Sequence, residues 1–306
     1  MFRAALSIAG IGLVLGSPAQ GQSRNQILAR ADSAFAAGNL YLADSLYYIV
    51  PRVRPRDPVG RAALGQYLGA QGKAKVAVVL LEEARMFGGD PGDIARLLQP
   101  YYEDLGDWRA LLTLPAATLT TTERKRAAWL SENPFKVASE GGSASIIGVP
   151  RGDTIARVAA RINGRAAVAS IVGSDVRFMI GSRIASSARH FGNDSATVAF
   201  DSITVGQARF VNVPASVGAT ASSVTVGVGA LGRMVVQIDY ARSRIVMTRA
   251  DGGAIESRYP LARFNGQFRV LDRGGWVRLG EFAAGVAKDG RTLVIDVAAG
   301  EARIRR

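Results

Sequence analysis

The sequence predicts a multidomain α + β chain, with N-terminal α-helical repeat hairpins followed by an all-β half that carries extra C-terminal strands. Two observations predict it. Gly38, Gly72 and Gly106 recur at intervals of 34 residues among apolar positions of helical spacing. From Ser143 the pattern shifts to short apolar runs punctuated by Gly, Asn-Gly and Asp-Ser, the signature of strands and tight turns.

Ahead of both parts stands a leader. Arg3 supplies a positive start, Ala4 to Leu15 is apolar and uncharged, and Ser17-Pro18-Ala19 places small residues at a cleavage site. Residues 1–19 are therefore expected to be a signal peptide and the protein to be exported, periplasmic or secreted. About a dozen apolar residues are too few to span a bilayer. The competing interpretation is a buried core helix. No cysteine follows, which excludes a lipoprotein anchor, and no later stretch reads as a transmembrane segment.

The chain has no cysteine and one histidine, His190. Disulfides, thiolate chemistry and multi-histidine metal sites are excluded, and neither a cofactor nor a metal is expected. His190 reads as a solvated loop residue. The net charge is +13, yet the basic residues are mostly Arg and scattered along the chain without runs. A nucleic-acid partner is not expected on that pattern.

Residues 24–130 form the helical part. Leu64, Leu68, Ala77, Leu81 and Ala84 mark two helices around Gly72, and Ala31, Ala34, Ala43, Tyr47 and Val50 occupy the same places around Gly38. This resembles the tetratricopeptide repeat: Leu64-Gly65 fits its Leu-Gly pair, Ala77 its small inter-helix residue, Leu81 its large apolar one and Pro55 its closing proline. A third unit keeps Leu111, but Pro115 falls where a helix interior should be, so it reads as a worn or capping element. The resemblance implies a surface for a protein or peptide partner; a spacer or oligomerisation role stands beside it. Few repeats seldom stand alone, so the array is expected to lean on itself, the second half or another chain.

In residues 143–250, Val158 to Val172 reads as one hairpin across Asn163-Gly164, and Val198 to Val213 as another across Gly206-Gln207. Val224 to Val228 and Met234 to Val246 add strands, the last broken at Tyr240-Ala241-Arg242. The order of motifs resembles the retropepsin-like aspartic proteases. It comprises Ile162-Asn163-Gly164-Arg165, Asp201-Ser202-Ile203-Thr204-Val205-Gly206, Asn212-Val213-Pro214, Thr225-Val226-Gly227 and Ile238-Asp239-Tyr240-Ala241-Arg242. The resemblance implies an all-β acid-protease barrel, in which two lobes each supply one aspartate and the pair shares a proton.

The departures from that family decide the expected chemistry. Where it carries Asp-Thr-Gly, this chain reads Ile171-Val172-Gly173. Isoleucine transfers no proton and valine donates no bracing hydrogen bond, so no catalytic residue is expected; Asp175 is the alternative carboxylate. Only His190 to Ser195 is available for the flap that closes over substrate in active relatives. A lobe of this kind completes its barrel by dimerising, so a homodimer through the β domain, with two Ile171 residues face to face, is a further expectation.

Residues 251–306 open with Asp251-Gly252-Gly253 and continue as strand-like pieces, Phe268 to Leu271 pairing with Trp276 to Leu279. Thr292 to Val297 echoes Val235 to Tyr240. The segment reads as an added sheet covering an edge, or as the remnant of a second lobe. The function expected is that of an exported pseudoprotease that binds or scaffolds. The alternatives are an active aspartic endopeptidase with a non-standard carboxylate and an inert structural component of the envelope.

Overall fold

The structure, a computed structural model, describes residues 23–139, 142–148, 150–174, 178–192, 197–218, 223–232, 234–248 and 255–305. The leader at 1–19, Asp175, the end of the short flap segment at 193–195 and Asp251-Gly252-Gly253 lie outside the described residues.

The helices come as hairpins: α1 (Arg24–Ala36) with α2 (Leu40–Val53), α3 (Pro58–Ala70) with α4 (Ala74–Met86), and α5 (Pro91–Leu105) with α6 (Trp108–Leu112). Each turn is built alike. Gly38, Gly72 and Gly106 have φ of 78°, 83° and 67°, the left-handed region where a side chain costs energy. The next residue then donates back across the turn: Asn39 N to Ala34 O (2.9 Å), Lys73 N to Leu68 O (3.0 Å) and Asp107 N to Tyr102 O (2.8 Å). These bonds satisfy carbonyls that the helix end leaves open. The third hairpin is short, α6 ending before Pro115, and α7 (Thr121–Glu132) packs Ala127 and Leu130 against it.

Tyrosines stitch neighbouring helices. Tyr47 Oη donates to Asp32, Tyr67 Oη to Asp44 at 2.6 Å and Tyr102 Oη to Glu82. Burial first, and the facing carboxylates second, push all three phenols up, so they stay protonated donors.

The β half begins with β1 (Lys136–Ser139), β2 (Ser143–Gly148), β3 (Thr154–Ile162) and β4 (Arg165–Val172). β3 and β4 form a hairpin across Asn163-Gly164, whose φ values of 45° and 84° suit a type I′ turn. Next come β5 (Phe178–Gly181), the short α8 (Ser182–Ala185), β6 (Arg189–His190), β7 (Thr197–Val205) and β8 (Ala208–Gly218), the last two paired across Gly206-Gln207. β9 (Ser223–Gly227) runs parallel to β4 and antiparallel to β5, lying between them. β10 (Val235–Asp239) and β11 (Arg244–Thr248) form the next hairpin.

The C-terminal segment contributes β12 (Ser257–Phe264), β13 (Gln267–Asp272), β14 (Gly275–Arg278), α9 (Leu279–Lys288), β15 (Thr292–Asp296) and β16 (Glu301–Arg305). β13 and β14 pair as read from sequence, but Leu279 opens a helix instead of ending a strand. α9 buries Leu279, Ala283 and Val286, a spacing of one helix face; Gly280 and Gly285 obscure it in the sequence.

β15 pairs antiparallel with β10, Gln237 opposite Val294. β11 and then β2 continue on one side, β16 and then β12 on the other. The six strands are thus related by a local two-fold axis through the Gln237–Val294 pair. It superposes Ile238-Asp239 on Ile295-Asp296, and each aspartate closes its own turn: Asp239 Oδ1 accepts from Arg242 N (3.0 Å) and Asp296 Oδ1 from Ala299 N (2.9 Å). The C-terminal segment therefore covers the β10 edge and mirrors it. An edge so paired offers no free ladder to another chain.

One apolar core runs through both parts of the sheet region, joining Ile171, Val226 and Ile238 to Leu279, Ala283, Leu293 and Ile304. The helical array rests on the same C-terminal segment. Phe35 stacks on Phe264 (centroids 4.8 Å apart), Trp276 Nε1 donates to Phe35 O (2.7 Å), and Arg263 pairs with Asp104 (3.2 Å). Among the described residues no helix is long and apolar enough to cross a membrane.

Candidate functional site

Ile171 and Val172 end β4. In register, Ile171 lies opposite Ala156 on one side and Val226 on the other, while Val172 meets Gly227. The end of β4 is packed among apolar side chains. Ile171 is 0% exposed, as are Ala156 and Val226. The Ile171 side chain is enclosed by its own chain.

Gly173 follows, and the C-terminal segment seals it. Gly173 N donates to Asp153 O (2.9 Å), and its carbonyl accepts from Phe268 N (2.9 Å) at the start of β13. A β-carbon on Gly173 would press on Leu279 Cβ at 3.1 Å and Gly280 N at 3.2 Å. The start of α9 therefore lies directly on this turn, and Ser174 beside it is buried. Asp153 is the carboxylate nearest in hydrogen-bonding terms, but it contributes its backbone. Its side chain is 3.9 Å from Arg278, which also holds Glu281. The Arg278 hydrogen bond keeps the Glu281 carboxyl below the usual range, suited to a charged surface pair and not to proton transfer.

The C-terminal segment supplies Asp272, but it lies four residues along β13 from Phe268, roughly 13 Å at strand rise. Asp272 turns a tight hairpin with Gly275.

The β half is similar to a retropepsin-like aspartic protease. That crystal structure, from Rickettsia conorii, shares 17% identity and a TM-score of 0.27, covering 37% of this chain and 94% of the other. No protein-family model matches the sequence, and no curated protein matches it.

The motif residues singled out in the sequence hold the β half together. Asn163 exchanges backbone bonds with Ser202, its Oδ1 accepting from Ser202 N (3.0 Å), its own N donating to Ser202 O (2.9 Å), and its Nδ2 donating to Ser187 O (3.0 Å). The first hairpin is thereby pinned to the second. Asn212, at φ 54°, donates from Nδ2 to Pro134 O (3.3 Å). Tyr240 Oη donates to Ile155 O at 3.1 Å, and burial pushes that phenol up. None of these groups is free for chemistry.

Burial would raise the Asp239 carboxyl, but its Arg242 bonds and the Arg242 and Arg244 charges outweigh that and hold it below its ordinary value. A depressed carboxylate stabilises the fold above about pH 4 and ceases to do so as pH falls through its folded value. Because its partner Arg242 is exposed and screened by solvent, the contribution is small. Asp239→Asn is expected to lower stability by about 0.5 kcal/mol at pH 7 and by nothing at pH 2.5, read by urea unfolding at both pH values.

His190 is exposed on β6, its Nε2 3.1 Å from Ala185 O. Among the described residues no three His, Cys, Asp or Glu side chains gather to hold a metal. Sequence reasoning missed the sealing role of Gly280, Phe268 and Asp153. Only the glycine at 280, inside an otherwise helical pattern, hinted at a close approach; its β-carbon would overlap Gly152 O.

Proposed function

We propose that this is an exported, non-catalytic binding or scaffolding protein, built on an aspartic-protease-like β half whose carboxylate has been replaced. The observation that carries the reading is Ile171: an apolar, fully buried side chain where the resemblance requires a proton-sharing aspartate, beneath a turn sealed by α9 and β13. Acid–base chemistry needs a carboxylate within reach of both substrate and water, and this position has neither.

The array supports the binding half of the reading. Tyr41 and Tyr48 on α2, and Val79 and Met86 on α4, stand exposed on the helices, a surface suited to a protein partner. Its turn edge is already committed to the C-terminal segment, so the array is mounted on the β half as one platform. Self-association, where it occurs, would use a surface other than Ile171.

The test is cleavage of an unfolded protein substrate between pH 3 and 7 by the wild type and by Asp175→Ala. The expected result is no turnover by either. Pepstatin-sensitive turnover that disappears in Asp175→Ala would establish the peptidase alternative. Cross-linking of the protein in its host then separates a scaffold, which captures a defined partner, from an inert component, which captures none.

A further inference from the structure

The outer face of the first two hairpins of the β half is cationic. On β3, Arg157, Ala159 and Arg161 are exposed and alternate with buried Val158, Ala160 and Ile162. On β8, Arg209 is exposed between buried Ala208 and Phe210. β7 lies between the two strands, Thr204 pairing with Arg161 on one side and with Arg209 on the other. At strand spacing and rise, Arg161 and Arg209 stand about 10 Å apart across the sheet, and Arg157 and Arg161 about 13 Å apart along it. The residues between them are small: Ala159, Thr204 and, opposite Arg161 on β4, Ala166.

Little on these strands offsets the charge. β3, β4, β7 and β8 carry Arg157, Arg161, Arg165 and Arg209 against a single carboxylate, Asp201. Asp201 lies where the β7–β8 register breaks, between the Phe200–Val213 and Ser202–Val211 pairs. Among the described residues none of the four arginines pairs with a carboxylate. Elsewhere the chain does pair its arginines, as Arg263 with Asp104 and Arg303 with Asp296. Unpaired like charges on one face raise the local potential and attract anions from solution. Guanidinium groups match phosphate oxygens in particular.

A second observation selects a bilayer over a soluble polyanion. β2 pairs with β3 beside these arginines, Gly148 opposite Arg157, and the register breaks at Ile147. Ile147 is 53% exposed, an apolar side chain at the rim of the cationic face. An exposed isoleucine gains nothing from a phosphate in water, whereas the headgroup–acyl boundary of a membrane buries it. We infer that this face docks on an anionic phospholipid surface, with Arg157, Arg161 and Arg209 on headgroup phosphates and Ile147 in the acyl boundary. The inference goes beyond the non-catalytic reading and does not depend on it, since a peptidase could dock in the same way.

The test is co-sedimentation of the full chain with vesicles of phosphatidylcholine alone or of phosphatidylcholine with phosphatidylglycerol. Tighter binding to the anionic vesicles is expected, weakening as salt rises. A basic residue at an anionic surface is worth about five-fold, so Arg157→Glu with Arg161→Glu and Arg209→Glu should weaken binding by about one hundred-fold or more. Arg54→Glu with Arg56→Glu and Lys125→Glu makes the same charge change on exposed residues of the array. That control should alter binding by less than about two-fold. The chain has no cysteine, so Ile147→Cys accepts a single polarity-sensitive fluorophore. Its emission should shift to the blue on anionic vesicles, while the same label on Tyr41→Cys, exposed on α2, should not shift. The label arm changes no charge and decides the matter should the triple variant fail to fold. Equal binding to both vesicle types, equal losses in the two triple variants, release by millimolar inorganic phosphate, or an unshifted label at 147 would overturn the inference. Tighter binding to duplex DNA than to anionic vesicles would assign the face to nucleic acid instead.

Discussion

Placing a carboxylate at the end of β4 by Ile171→Asp is expected to cost roughly 3–5 kcal/mol at pH 7 and to create no peptidase activity. The position is enclosed by Ala156 and Val226, and its side chain is 0% exposed. A carboxylate placed there would be desolvated with no partner, so its pKa would rise well above the unfolded value of about 3.9. Below about pH 4 both folded and unfolded chains hold the proton, and only the lost packing and the buried neutral acid weigh on stability. As pH rises through 4, the unfolded chain ionises first, and stability falls until the folded value is reached. Urea unfolding of Ile171→Asp should therefore show a deficit that grows between pH 4 and 7. Ile171→Asn, which has a similar shape and no titration, should show a constant one. A stable Ile171→Asp with pepstatin-sensitive turnover would mean that the turn is open to substrate and a second carboxylate faces it.

The motif residues of the β half are tied to its backbone. Asn163 locks two hairpins by two hydrogen bonds to Ser202 and adds a third to Ser187, and Tyr240 fastens β10's end to Ile155. Removing a half-buried donor such as the Asn163 amide leaves its partners unsatisfied. Ile171 carries no such obligation and can be any residue that fills the core. Sequence motifs in the β half thus mark backbone geometry.

How legible the chain is follows the same division. Local demands are readable: Gly38, Gly72 and Gly106 because φ near +70° to +80° excludes other residues, and Asn163-Gly164 because a two-residue hairpin needs both. Long-range demands are not. Thr292 to Val297 reads as an echo of Val235 to Tyr240, but nothing local says that the two pair antiparallel about a common axis. Phe35, Phe264 and Trp276 lie more than 200 residues apart at the extremes, and only the fold makes them one cluster. A usable signal was present in Arg263-Phe264-Asn265-Gly266, which repeats the Arg161-Ile162-Asn163-Gly164 quartet; both asparagines take φ near 45°. The cationic face was invisible to sequence reasoning because Arg161 and Arg209 come together only across β7 in the folded chain.

The seating of the array on the β half makes the second large effect predictable. A β-carbon on Gly72 would overlap the carbonyl oxygen of Val297, and Gly72 sits at φ 83°. Gly72→Ala therefore carries two penalties. The left-handed backbone costs about 1–2 kcal/mol for an alanine, and the clash adds about 1–3 kcal/mol because it strikes backbone, which cannot rotate away. Gly164→Ala isolates the first of these, since its φ is 84° and nothing lies within 4 Å of its β-carbon. Urea unfolding should place Gly164→Ala about 1 kcal/mol below wild type and Gly72→Ala about 3 kcal/mol below. If the array depends on its seat, Gly72→Ala should also speed proteolysis within the helical part, by exposing the Phe35, Phe264 and Trp276 cluster that the docked turn edge covers. Gly164→Ala should leave that rate near wild type. Equal losses for the two variants would mean that the array and the β half merely touch, and that the helices stand on their own packing.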